Sequence, residues 1–508
     1  MNGNTQHITH NRQHYFEWGM VIAIILLGAF LRLYRISDYM LFLGDEGRDV
    51  LIVKHIIVDH QLTLLGPTTS VGAMYLGPIY YYFMAPFLWL TRLDPVGPAI
   101  MVALFSLATI VLIYKFCLDF FDKNMGLVAA LLYAVSPLVI TYSHSSWNPN
   151  TLPFFSLLTV YGLAKIIVDK KDNWLIIVGI ALGVALQLHY LALIFFPLIL
   201  VILAWRRFKI SLRTFLLGIL AFLITYSPFL IFEIRHSFPN TQTAIRFITA
   251  GHPGSPDSFN FGVDRFLHTV NDISVRLSWR LVTIESNLVA KILLLVIIIG
   301  VSYWLIKYRK DNRVKFTSLL ILVAWYVVGV GVLSFYRGAI YDYYFVYLFP
   351  LPFLLTGFVV SRSFDHRYGR FLAGIFLMYL VFVNLRNTPI SKAPNRLVAQ
   401  TKEISRFIYD HAGGQPYNLG LIASTNTDKA YRYFLEIWGN PPAIIENSTI
   451  DPQRKTVANQ LFVICEEKKC EPLGHPQWEI AGFGRAEIEG QWPVGPVKVF
   501  KLGHYRGK

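Results

Sequence analysis

Apolar runs long enough to cross a bilayer recur between Trp18 and Asn384, and short connectors rich in Lys and Arg separate several of them. Such a chain has few structural options. In hydrocarbon each backbone N–H and C=O needs an internal partner, so the runs become helices and the connectors fall to one side or the other of a membrane. Residues 18–33, 97–118, 125–142, 151–168, 174–187, 190–205, 212–232, 288–306, 316–335, 341–360 and 371–384 are the candidate spans, about eleven in all. The break at "QLHY" leaves 174–205 open between a tight hairpin and one kinked helix. Residues 78–90, "PIYYYFMAPFLWL", are apolar but fall short of the roughly 17 to 25 residues a crossing needs. An interfacial or re-entrant element is expected there, its tyrosines at headgroup depth.

Charge sets the orientation. "VDKKDN", "WRRFK", "KDNRVK" and "SRSFDHRYGR" are the basic short connectors, and the positive-inside rule assigns them to the cytoplasm. Residues 1–17 then form a cytoplasmic tail, and residues 18–386 a membrane domain whose first external loop is 35–96. A second long external loop spans 233–287, with "SHSSWNPN" and "FYRGAIYDYY" on the same side. No A-x-A-like cleavage site follows the first apolar run, so it is read as a retained span. This topology accounts for the net charge of +15 without a nucleic-acid partner.

From about Asn387 the pattern becomes that of a soluble sequence. "NRLVAQTKEISRFIYDHAGG" reads as a helix closed by Gly413 and Gly414, and "DKAYRYFLEIWG" as another. "YNLGLIAS", "QLFVIC" and "VKVFKL" read as strands. The expected fold class is an α-helical multi-pass membrane protein with a small extracytoplasmic α/β domain at 387–508, serving as a lid or brace. Tyr431, Tyr433, Trp438 and Trp478 are candidates for stacking on a sugar, ranked below a simple core role. Cys465 and Cys470 in "CEEKKC" are open between a disulfide and two free thiols.

The chemistry concentrates in the first loop. "GDEGRD" crowds Asp45, Glu46 and Asp49 onto one turn, where they repel one another unless Arg48, a metal or a substrate compensates. Helix capping and catalysis are both open for this cluster. His189 lies between two apolar stretches, where an ionisable residue either satisfies a neighbour or lines a polar cavity. Arg337 either snorkels or binds an anion. Arg235, His236, Arg246, His252, Arg265, His268, Arg276 and Arg280 in the second long loop suit an anionic ligand such as a phosphate.

No G-x-x-x-x-G-K-[ST] or G-x-G-x-x-G loop is present. An outward-facing site has no nucleotide supply, so an activated group must arrive through the membrane. A sugar esterified to polyprenyl phosphate meets that demand. Its leaving group is already an anion, so the reaction needs a base for the acceptor hydroxyl and cations for the phosphate. Asp45, His189 and Arg337 would supply that set. A ligase using polyprenyl-diphosphate glycans and a lipid-linked-substrate transporter are the rivals. A transporter predicts an internal repeat, and no second copy of the first-loop motifs occurs.

"GDEGR", "YLGPIYYY", "HSSWNPNTLPFF" and "LGVALQLHYLALIFFPL", set along most of residues 18–384, resemble the family 39 glycosyltransferases. These are GT-C enzymes that include protein O-mannosyltransferases and lipid A aminoarabinose transferases. The resemblance implies a GT-C fold in the cell membrane, a polyprenyl-phosphate sugar donor, an external active site and inversion at the anomeric carbon. It puts Asp45 in the place of the base with Glu46 beside it, and His189 and Arg337 at the donor phosphate. Tyr80, Tyr81, Asn148 and Tyr343 are the remaining substrate-binding candidates. Where relatives commonly carry a second acidic residue this chain has Asn148 and Asn150, which makes a divalent metal doubtful and leaves the metal question open. The acceptor is open among glycan, lipid and protein.

Overall fold

The computed structural model describes residues 2–69, 72–205, 210–250, 262–336 and 338–507. Among these, seven helices are long and apolar enough to cross a membrane, or up to nine if each of two bent pairs counts as one span. The first helix, Asn2–Leu33, runs without interruption through the polar residues expected to form a separate tail. The bent pairs are Lys123–Val135 with Pro137–Ser143, at 62°, and Asp342–Leu348 with Pro350–Ser363, at 56°. Each bend falls next to a proline, which has no N–H to donate into the preceding turn. Trp174–Leu188 and Tyr190–Val201 are shorter apolar helices, separated by His189 in extended backbone.

The two ends of the bundle differ in character. At one end residues 121–123 carry ion pairs from Asp122 to Arg362 and from Lys123 to Glu17, and Lys165 Nζ lies 2.6 Å from Asp119 Oδ2 close by. At the other end helices Gly44–Val58 and Ile79–Leu90 and the connectors 144–151 and 338–349 come together. Between them the core is dense with buried aromatics such as Trp325, Phe116, Phe120 and Phe195. Leu216, Ile224, Ile292, Ile299, Phe371 and Phe382 stay exposed on helices Leu212–Arg235, Asn287–Asp311 and Arg367–Arg386, as faces turned to lipid would.

Residues 78–90 fold as the helix Ile79–Leu90, packed between helices Gly44–Val58 and Val96–Phe120. Its first tyrosines, Tyr80 and Tyr81, are fully buried against protein. The two long loops are also joined: Glu233 accepts from both the backbone and the side chains of Asn240 and Thr241, and Asn240 Oδ1 accepts from Tyr75 N–H at 2.6 Å.

Beyond helix Leu397–Ala412, which ends at Gly413 in the left-handed region, lies a four-stranded sheet. Its spatial order is Asn418–Ile422, Gln460–Cys465, Val497–His504, Ala486–Val494, with the first pair parallel and the others antiparallel. The last strand was not apparent in the sequence, because Gly490 and Pro493 interrupt an already weak alternation. Cys465 and Cys470 form a disulfide at the end of the second strand. Helix Lys429–Ile437 lies between this domain and helix Gly44–Val58 of the first loop.

Candidate active site

Helix Gly44–Val58 starts at the first-loop motif, and it is Glu46 rather than Asp45 that closes its first turn. Leu43 N–H donates to Glu46 Oε2 at 3.1 Å, which satisfies one of the amides a helix start leaves free. Ser145 Oγ donates to Glu46 Oε1 at 3.0 Å. Glu46 is 6% exposed, and burial pushes its carboxyl above the usual range against those hydrogen bonds. Glu46 was expected beside the base as a catalytic group; both of its oxygens are instead held by protein.

Asp49 is buried completely, with Arg48 Nη2 at 2.8 Å and Nε at 2.9 Å from Oδ1. Tyr81 donates its hydroxyl to the same oxygen at 3.1 Å, while Oδ2 has no hydrogen-bond partner among the described residues. Burial therefore outweighs the guanidinium and raises the Asp49 carboxyl to about 7. Arg48 also reaches outward, its Nη1 donating to Asp45 Oδ1 at 2.9 Å. The repulsion that the sequence poses is thus relieved by one arginine shared between two carboxylates. Of the three acids, Asp45 alone is open to solvent, its side chain 57% exposed.

Connector 144–151 ties this helix to the rest of the site. Tyr80 and Ser146 hydroxyls share a hydrogen bond of 2.9 Å. Asn148 Nδ2 donates to Leu188 C=O at 2.6 Å, beside His189, and Asn150 Nδ2 to Ser145 C=O at 3.0 Å. Tyr80, Tyr81 and Asn148, expected to touch substrate, are buried, with both hydroxyls and Asn148 Nδ2 bonded to protein. They hold the frame around Asp45.

Trp147 meets Tyr343 edge-on, with centroids 4.8 Å apart. Tyr343 in turn lies 6.4 Å from the ring of His189, and Tyr344 6.1 Å. His189 Nδ1 accepts from Leu191 N–H at 3.1 Å, so the neutral ring carries its proton on Nε2, which can donate. The structure thus brings His189, Trp147 and Tyr343 together, linked through the connector to Glu46. Arg337 lies outside the described residues, as does His252.

Arg276 and Arg280, both assigned to an anionic ligand, pair with one carboxylate of the protein, Asp342. Arg276 Nη2 donates to Asp342 Oδ1 at 2.7 Å and Arg280 Nε to Oδ2 at 3.0 Å, and Arg276 Nη1 also reaches Ile340 C=O at 2.9 Å. They pin the tyrosine-rich connector. In the C-terminal domain, Tyr431 and Tyr433 are core residues, with hydroxyls on Glu466 and on Leu93 C=O. Among the described residues no three His, Cys, Asp or Glu side chains converge to hold a metal ion. Sequence reasoning missed Ser145, Ser146 and Asp342, and also the hydrogen bond from the C-terminal domain, where Gly44 N–H donates to Asn426 Oδ1 at 2.9 Å.

Residues 76–232 match the family described as dolichyl-phosphate-mannose-protein mannosyltransferase. That stretch holds Tyr80, Tyr81, the 144–151 connector and His189. No curated protein matches the chain in sequence. ArnT from Cupriavidus metallidurans, solved with undecaprenyl phosphate bound, superposes with a TM-score of 0.61 at 15% identity, over 95% of this chain and 97% of that one. The oligosaccharyltransferase AglB from Archaeoglobus fulgidus, in complex with an inhibitory peptide and a dolichol-phosphate, superposes with a TM-score of 0.51 at 12% identity, over 89% and 69%. The chain therefore has the fold of the GT-C membrane glycosyltransferases, and its residues 76–232 carry the sequence pattern of the dolichyl-phosphate-mannose-protein mannosyltransferase family.

Proposed function

We propose that this protein is a membrane glycosyltransferase that moves a sugar from a polyprenyl-phosphate donor to an acceptor hydroxyl at the extracytoplasmic face, inverting the anomeric centre in one displacement. The observation that carries the reading is the division of labour on one helical turn: Glu46 and Asp49 are buried and bonded to protein, while Asp45 projects outward, held by Arg48. A base must be reachable by the acceptor and fixed in direction, and Asp45 meets both conditions. The fold shared with a protein solved on undecaprenyl phosphate supports the donor class. In this reading His189 Nε2–H donates to the departing phosphate and Trp147 and Tyr343 stack on the sugar, which their clustering supports.

The test is consumption of a radiolabelled pool of polyprenyl-phosphate sugars in membranes carrying wild type or Asp45→Asn, with donor binding measured in parallel. Asp45→Asn is expected to bind donor normally and to lose about 10²- to 10⁴-fold in kcat. Equal transfer by both would remove Asp45 from the mechanism. Use of diphosphate-linked glycans in place of monophosphate sugars would favour a ligase.

A further inference from the structure

We infer that the C-terminal domain is part of the catalytic apparatus, with Asn426 as a positioning residue that sets the first turn of the Asp45 helix. The inference rests on the reading of Asp45 as base. Gly44 immediately precedes Asp45, and its N–H is one of those a helix start leaves without an intrahelical acceptor. That N–H donates to Asn426 Oδ1 at 2.9 Å, from a residue 382 positions further along the chain.

The orientation of the Asn426 amide is itself fixed. Its Nδ2 donates to Glu466 Oε1 at 2.7 Å, and a carboxylate offers only acceptors, so the amide oxygen must face Gly44. Tyr431 donates its hydroxyl to the same Glu466 oxygen at 2.7 Å, and Thr427 N–H donates to Asn426 Oδ1 at 2.9 Å. A relay therefore runs from Glu466, at the end of a central strand, through Asn426 to the backbone beside Asp45.

The glycines of the first-loop motif make this contact close. A Cβ at Gly44 would collide with the Thr427 side chain, and one at Gly47 with the backbone of Ala430. At the far end of the same helix, Lys54 Nζ and His55 Nε2 lie 3.2 Å and 3.3 Å from Glu436 Oε1. The domain thus grips the helix at both ends, and the Asn426 hydrogen bond is the one that fixes the backbone beside the exposed carboxylate among the described residues. Asp45 points into solvent, so its place is set by its own backbone and by Arg48. A reacting group displaced by about 1 Å costs on the order of 10²-fold in rate. Loss of the Asn426 bond is accordingly a change in kcat rather than in donor affinity.

The experiment measures donor consumption, donor KM and Tm for full-length wild type, Asp45→Asn, Asn426→Ala, Asn426→Asp and the double variant Asn426→Asp/Glu466→Gln. Asn426→Ala is expected to lose about 10- to 100-fold in kcat with donor KM within about twofold of wild type. Asn426→Asp keeps an acceptor for Gly44 N–H but turns a carboxylate toward Glu466, and loses activity as well. In the double variant the new amide donates to the new carboxylate, the polarity of the relay is reversed, and kcat returns to within about threefold of wild type. A residue of merely structural importance would give no such recovery of kcat at constant Tm. Wild-type kcat in Asn426→Ala alongside an inactive Asp45→Asn overturns this inference alone; transfer by Asp45→Asn at the wild-type rate overturns the base assignment and this inference with it. Should Asn426→Ala fail to accumulate, the comparison of Asn426→Asp with the double variant decides, and equal losses in both refute the relay.

Discussion

Two connectors meet at the same end of the bundle and are built on opposite plans. In 144–151, His144, Ser145, Ser146, Asn148 and Asn150 are buried, and each makes a hydrogen bond to protein. In 341–344, Tyr341 is 55% exposed and stacks on Tyr343 at 5.7 Å, while Tyr343 and Tyr344 stand edge to face at 4.6 Å. One connector is a frame whose polar groups are all turned inward; the other offers open ring faces and edges. The difference teaches that polar residues near an active site can be there to hold it, and that the groups free to meet a sugar here are mainly aromatic. Changes in the frame should appear as stability, and changes in the ring surface as substrate affinity.

The largest effect expected from the frame is electrostatic. Asp49 keeps its proton to about 7 in the folded protein, against an ordinary 3.8. Between those values the folded state binds more protons than the unfolded one, so stability falls as pH rises through the window. The full cost is present above about pH 7 and absent below about pH 4, with a span of up to about 4 kcal/mol. Glu46, raised by burial as well, adds in the same sense. Tm of the wild type should therefore drop from pH 5 to pH 8, and Asp49→Asn should flatten much of that slope. A wild-type Tm that rises with pH would show that Arg48 overcomes burial after all.

Next in size is Asn148→Ala, which removes the donor to Leu188 C=O and leaves a buried carbonyl without that partner. The expected loss is about 1–3 kcal/mol of stability with donor KM unchanged. A rise in KM without loss of Tm would instead move Asn148 from the frame to the substrate surface.

The helical runs, the short apolar helix within 78–90 and the C-terminal helices were legible because burial in lipid or core writes a period or a length into the sequence. The division between frame and surface was not. Asn148 and Tyr343 both sit in polar connectors, and nothing local says that one reaches Leu188 C=O while the other keeps its ring partly free. Arg48 was legible as a compensating charge, since it lies three positions after Asp45. Asn426 was not, because "ASTNTD" is an ordinary polar loop until the tertiary fold sets it against Gly44. Local chemistry can be read from spacing, whereas a contact across hundreds of residues leaves no mark in a single sequence.

On the ring surface the effects should be smaller and should fall on affinity. Tyr343→Ala removes a ring lying between Trp147 and Tyr341. A stacking contact is worth about 1 kcal/mol, so donor KM should rise about fivefold with Tm nearly constant, and Tyr343→Phe should behave as wild type. A loss of Tm comparable to that of Asn148→Ala would mean that the rings, too, are frame.

The smallest effect separates two readings of the same cation. Arg280 is one of the basic residues that, in sequence, suggested a phosphate ligand, yet its Nε donates to Asp342 Oδ2 and its side chain is 44% exposed. Arg276 holds the other oxygen of Asp342, so the carboxylate keeps a partner when Arg280 is removed. A partly exposed ion pair contributes about 0.2–1 kcal/mol, and Arg280→Ala should change donor KM by no more than about twofold. A guanidinium that met the donor phosphate directly would leave that anion uncompensated in the bound complex, and its loss would raise KM well beyond tenfold. The assay for Tyr343→Ala therefore also decides whether Arg280 braces the tyrosine connector or reaches past it to the donor.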